Sequence, residues 1–219
     1  MAGPPLDGQH AEILNVVRQY YLYTLTKHGP THLGVDWESS AQQHRRFDQL
    51  LAACDPVAPF SINDYGCGYG ALAGLLRMRY ADFSYCGYDI VEMMIERARL
   101  LHAGMANATF TSDAGTLQPA DYTVASGIFN VKFDIPGSTW QDYVFKTLDR
   151  IAALSRRAFA VNLLAAGRAP AEQRYLYYAD PKFFLNACRK RYSLGVSLSH
   201  DEELGEFTIS VRTGHPQEA

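Results

Sequence analysis

The sequence predicts an α/β fold: a seven-stranded, mainly parallel sheet with helices on both faces, a C-terminal antiparallel hairpin and an N-terminal helical cap. Three observations carry this reading. From residue 60 onward, apolar segments of strand length alternate with segments of helical period. An early strand ends in an acid and runs into a glycine-rich turn, Asp64-Tyr65-Gly66-Cys67-Gly68-Tyr69-Gly70. The last two strands have no helix between them, so they pair antiparallel rather than by a crossover.

The elements follow in order. Residues 11–28 place Ile13, Leu14, Val17, Tyr20, Tyr21 and Leu25 at helical spacing, and Gly29-Pro30 ends the run. A second helix starts after Ser39 or Ser40, either of which can cap it, and buries Phe47, Leu50 and Leu51. Asp55-Pro56 then breaks the chain. The first strand is Phe60 to Tyr65 and the first crossover helix Ala71 to Arg79. Phe83 to Tyr88 is a strand ending at Asp89, followed by an amphipathic helix from Val91 to His102. Thr109 to Ser112 is a short strand ending at Asp113, and Tyr122 to Ser126 is the fourth. Trp140 to Leu154 is helical, Ala158 to Leu164 is a strand and Pro181 to Arg191 a helix. Ser193 to Ser199 and Glu206 to Arg212 form the closing hairpin. The division is a cap and tail over residues 1–57 and a core over 58–219, within one structural domain.

With 219 residues, 47% of them hydrophobic, the chain can bury one full core. Its net charge of −3 and scattered Lys and Arg argue against a polyanionic partner. We expect no nucleic-acid and no membrane partner. Arg189-Lys190-Arg191 falls at a helix C-terminus, where cations suit the helix dipole. Cys54, Cys67, Cys86 and Cys188 form no C-x-x-C pair and read as reduced thiols of a cytoplasmic protein. Met1 to Leu6 and His215 to Ala219 read as tails.

Ligands of open α/β sheets bind beyond the carboxyl ends of the strands. Asp64, Asp89 and Asp113 stand at three successive strand ends. A carboxylate beside the glycine turn repels a pyrophosphate and suits a cationic or N–H-donating ligand. Asp89, 23 residues after Gly66, can accept two hydrogen bonds from ribose hydroxyls. Asp113 can accept from an exocyclic amine, with the Ala114 N–H as a donor. Ile90, Met93 and Leu117 are placed to clamp a flat ring, and Ile128 to line the same site. Each acid also has a local reading: Asp89 as a helix N-cap, Asp113 as a turn residue.

The pattern D-x-G-x-G-x-G with these acids resembles the class I S-adenosylmethionine (SAM)-dependent methyltransferases over about residues 58–212. The segments around Gly34-Val35-Asp36-Trp37 and Tyr177-Tyr178-Ala179-Asp180 are similar to those of small bacterial stand-alone members. The resemblance implies SAM as the methyl donor and S-adenosylhomocysteine as its product. It implies that Asp64, Gly66, Gly68 and Gly70 hold the methionine side, Asp89 the ribose and Asp113 the adenine. Cys67 then packs between the glycines. Arg46 is the candidate donor for the SAM carboxylate and Trp37 a shield, although both also read as ordinary surface or core residues. Methyl transfer needs a base only if the nucleophile carries a proton. Asn130, Tyr178 and His200 are the candidates to orient or deprotonate it, with His28 and His32 as further histidines; no metal is expected. No N/D-P-P-Y follows the fourth strand. The expected acceptor is a small molecule, methylated at O or N, because aromatic residues (14 Tyr, 11 Phe) flank the site loops. Methylation of a protein, a SAM-binding module without turnover, and a nicotinamide-dependent oxidoreductase stay open as alternatives.

Overall fold

The computed structural model describes residues 8–52, 59–167, 175–192 and 195–213. Two helices come first: α1 (Gly8–His28) and α2 (Ser40–Leu51). Ser39 caps α2, its Oγ accepting from the Gln42 N–H at 3.2 Å. The α/β alternation follows as β1 (Phe60–Tyr65), α3 (Ala71–Arg79), β2 (Phe83–Tyr88), α4 (Glu92–Leu101), β3 (Ala108–Thr111), β4 (Ala120–Ala125), α5 (Gly137–Ala153) and β5 (Ser155–Ala165). The chain closes with β6 (Tyr178–Ala179), α6 (Pro181–Arg191), β7 (Val196–Asp201) and β8 (Glu206–Arg212). Asp180 caps α6 with Pro181 in its first turn.

The sheet runs β3-β2-β1-β4-β5-β8-β7, with β6 paired to β5 off this path. Pairs among β1 to β6 are parallel; β8 is antiparallel to both β5 and β7. The expected class therefore holds, with two corrections. Tyr178–Ala179 adds an eighth, two-residue strand, too short to carry a periodic signal. The first hairpin strand spans Val196–Asp201 rather than Ser193 to Ser199. Its register is set by pairing with β8, Val196 opposite Val211 and Asp201 opposite Glu206. Ser193, Cys54, the Asp55-Pro56 break and both tails lie outside the described residues.

Two apolar clusters flank the sheet. Residues of α2, α3 and α4, such as Leu50, Leu72 and Ile95, pack one face; residues of α5 and α6, such as Trp140, Val144 and Phe184, pack the other. The alternation along β5 divides cleanly: Ala158 and Ala160 join the first cluster, Phe159, Val161 and Leu163 the second. Helix α1 contributes Ile13 and Val17 to the second cluster, while its Leu25 packs on Val91 and Met94 beside α4. It thus bridges the two layers over the carboxyl ends of the strands. Among the described residues no helix is long and apolar enough to cross a membrane, and no cluster of three His, Cys, Asp or Glu could hold a metal.

Candidate functional site

A cavity opens at the carboxyl ends of β1, β2 and β4, where the strand order reverses around β1. Its floor is the glycine turn. Gly66 (φ 89°) and Gly68 (φ 54°) lie in the left-handed region, and each is crowded where a side chain would begin. A Cβ on Gly66 would meet Ile128 Cγ2 at 2.2 Å, and one on Gly68 would meet Val35 Cγ1 at 2.8 Å. The turn is pinned to the end of β2, because the Gly66 and Cys67 N–H groups donate to the Tyr88 carbonyl at 2.7 and 2.9 Å.

Asp89 completes this anchorage. Its Oδ2 accepts from the Gly68 N–H and its Oδ1 from the Val91 N–H, both at 2.9 Å. Asp89 is not the N-cap of α4, which is Val91; it holds the Val91 N–H from the turn before the helix, and each of its oxygens keeps a lone pair for a ligand. Asp64 is buried, with Oδ2 accepting from the Tyr85 hydroxyl at 2.7 Å. Burial pushes the Asp64 carboxyl up to about 7; the Tyr85 hydrogen bond opposes this and neighbouring Asp89 adds to it. Asp89 is half-buried at the cavity wall, and burial lifts it to about 6 against its two backbone hydrogen bonds. Burial likewise pushes the Cys67 thiol up, which fits packing rather than nucleophilic chemistry.

Among the described residues lining this cavity none is basic, while Asp64 and Asp89 are acidic. Such an acceptor set fits a ligand bearing positive charge and hydroxyl or amine donors, and disfavours a phosphate. The buried Ser126 Oγ, on the same wall, has no hydrogen-bond partner and would be satisfied by one. These features, with the crowded glycine cradle, fit a nucleoside sulfonium.

The roof comes from the cap. Leu14, Val17 and Tyr21 of α1 line the cavity. Arg18 Nε donates to the Ile90 carbonyl at 3.0 Å, Thr24 Oγ1 to the Gly34 carbonyl at 2.8 Å, and the Tyr20 hydroxyl to Asp36 Oδ2 at 2.7 Å.

A second, more polar cavity adjoins the first, and Tyr21, Val35 and Trp37 line both. Asp36, Glu38, Arg46, Asn130, Tyr178 and Glu206 face it. Arg46 is buried, and its Nη2 and Nε donate to Glu206 Oε1 at 2.7 and 2.9 Å. Glu206 Oε2 accepts from Asn162 Nδ2 at 3.1 Å, and Asn162 Oδ1 accepts from the Gly127 N–H at 2.8 Å. Burial raises the Glu206 carboxyl while Arg46 pulls it back. The guanidinium stacks on Trp37, Cζ 3.9 Å from the ring centroid, and Nη1 has no partner.

The structure brings together Asp64, Gly66, Cys67, Gly68, Asp89, Ile90, Ile128 and Trp37 around the first cavity. It places Asn130, Tyr178 and Arg46 at the second. Other expected residues lie elsewhere. Met94, not Met93, lines the first cavity; one residue is 100° of helix, and Met93 turns to the surface. Gly70 (φ 83°) starts α3 and packs against Phe110 and His102 outside the cavity. Asp113 is exposed and caps a single helical turn, Oδ1 accepting from the Gly115 N–H at 2.8 Å, with Ala114 beside it. His200 borders neither cavity: it pairs with Phe207 across β7 and β8, while Asp201 and Glu206 project from the opposite face of the sheet toward α2. This removes His200 from the residues the fold gathers.

Sequence reasoning gave no site role to Ser126, Asn162 or Glu206. A glutamate opening an apolar strand is a weak sign of a buried ion pair, and its partner is 160 residues away.

No family model matches the chain. A Mycobacterium tuberculosis protein, named provisionally as a methyltransferase, is 46% identical over 165 residues, covering 75% of this chain and 98% of that protein. Among solved structures, magnesium protoporphyrin IX methyltransferase from Synechocystis PCC 6803 with bound SAM matches with a TM-score of 0.66 at 17% identity, over 97% of this chain and 100% of that one. The Burkholderia thailandensis 1,6-didemethyltoxoflavin-N1-methyltransferase, with its substrate and S-adenosylhomocysteine, matches at 0.64 and 19% identity, over 95% and 92%.

Proposed function

The chain belongs to the class I SAM-dependent methyltransferases, and from that premise we propose that it methylates an oxygen or nitrogen of a small-molecule acceptor held in the second cavity. The observation that carries this is the adjacency of two cavities that share Trp37: one mainly apolar, built on the glycine turn with Asp64 and Asp89, the other more polar. SAM supplies a methyl carbon already activated by its sulfonium.

The protein's part is alignment and exclusion of water. In this reading Asp64 and the side-chain-free backbone at Gly66 and Gly68 face the methionine portion. Asp89 accepts from the ribose hydroxyls. Ile90, Met94 and Ile128 flank the adenine. Arg46 Nη1, the open donor beside Trp37, meets the carboxylate. Asn130 and Tyr178 orient the acceptor; Asn130 is fixed by its own backbone, its carbonyl accepting from the Tyr177 N–H at 2.7 Å.

The direct test is incubation with methyl-labelled SAM and whole cell extract, followed by size separation. Label in the small-molecule filtrate is expected; label in protein or RNA counts against the reading. Asn130→Ala should lower kcat while leaving SAM affinity unchanged.

Two further outcomes follow from the geometry. SAM affinity should depend on pH. The folded, ligand-free carboxyls of Asp64 and Asp89 titrate at about 7 and about 6, far above the usual carboxylate range. A cationic ligand binds the ionised forms, so affinity is greatest above these values and falls as pH drops through them. Calorimetry at pH 7.5 and 5.5 should show at least about a tenfold weakening, one proton displaced per ligand over more than one pH unit. A flat profile would remove the carboxylates from contact with the ligand. Because α1 roofs the cavity, SAM should also slow hydrogen exchange across residues 10–28 as well as around the glycine turn. Protection confined to the turn would show that the cap takes no part.

A further inference from the structure

The second cavity has a chemistry that narrows the acceptor, and this step rests on the proposed function. Among its described lining residues four are carboxylates (Asp36, Glu38, Glu203 and Glu206) and one is a cation, Arg46. Arg46 is already matched by the buried Glu206, and Glu203 receives a hydrogen bond from Arg45. Asp36 and Glu38 remain at the mouth, exposed, each accepting one neutral hydrogen bond, from the Tyr20 hydroxyl and from Gln42 Nε2. No cation answers them in the described structure. Beside them stand aromatic rings: Tyr175 and Tyr178 line the cavity, and Tyr20 packs edge-on to Phe133 nearby. Carboxylates with ring faces and no free cation select a positively charged, N–H-donating guest and repel an anion. Arg46 Nη1, which the proposed function gives to the SAM carboxylate, lies beside Trp37, the residue common to both cavities, so that with SAM bound no unmatched cation faces the acceptor.

We infer that the acceptor is an amine. It enters as an ammonium drawn by Asp36 and Glu38 and gives up a proton to water at the carboxylate-lined mouth. The neutral nitrogen's lone pair then forms the N–CH3 bond as the S–CH3 bond breaks. The bonding pair returns to sulfur, giving a neutral thioether, and the methylated ammonium sheds one proton to solvent.

The test uses the full-length protein, methyl-labelled SAM and a small-molecule cell extract separated by ion exchange at low pH into cationic, neutral and anionic pools. Label is expected in the cationic pool. With that pool, Asp36→Asn combined with Glu38→Gln should raise the acceptor KM by about fivefold, the worth of a partly exposed ion pair, with SAM affinity unchanged. Asparagine tolerates the left-handed conformation of position 36 (φ 63°), so the loop survives the change. Label in the neutral or anionic pool, or an unchanged KM, overturns the amine while leaving small-molecule methyl transfer standing. Label in macromolecules only, or in no pool while SAM still binds, overturns both.

Discussion

Asp89→Ala should weaken SAM binding by roughly 10- to 100-fold, the loss of one or more charge-assisted hydrogen bonds worth ~1.5–3 kcal/mol each. Two effects add. The variant lacks the acceptor proposed for the ribose hydroxyls. It also releases the Gly68 and Val91 N–H groups that the carboxylate holds at 2.9 Å, so the glycine turn loses one of its ties to β2. Asp89→Asn separates them, since an amide oxygen can still hold one backbone N–H. Calorimetry with SAM on folded protein, checked by circular dichroism, reads the result. Wild-type affinity in Asp89→Ala would exclude Asp89 from the site. Reduced nicotinamide dinucleotide, titrated alongside, should not bind, because the acids that suit a sulfonium repel a pyrophosphate.

Glu206→Ala should be the most destabilising single change, at about 3–5 kcal/mol, because it strands a buried guanidinium without its counter-charge. It also removes the acceptor of Asn162 Nδ2, whose own carbonyl holds the Gly127 N–H at the end of β4. For a domain of this size the thermal midpoint should fall by roughly 10 °C. Arg46→Met together with Glu206→Met should recover much of that loss, since two apolar side chains bury no unpaired charge. The double variant should nonetheless bind SAM weakly if Nη1 holds the carboxylate. Thermal denaturation of the three proteins measures the first point and calorimetry the second. A Glu206→Ala protein as stable as the wild type would mean that the pair is solvated in solution.

What the sequence determined by itself was local. Ser39 caps α2, Pro181 opens α6 and three glycines set the turn, because each signal acts through backbone geometry within a few residues. The acids at strand ends were legible for the same reason: a strand, its last residue and the next helix are contiguous. The period-two and 3.6-residue patterns were long enough to order the elements and so to fix the class. Tertiary structure alone decided what depends on phase or on distance. Register with β8 moved β7 by up to three residues, and alternation then put His200 on one face and Asp201 on the other. The rotation of α4 chose Met94 over Met93 for the cavity. Arg46 and Glu206, 160 residues apart, meet only because β8 inserts between β5 and β7 and turns its polar edge to α2. No local pattern encodes such a pairing: the strand order that creates it is set by the packing of the whole sheet, and the second cavity takes its shape from that packing.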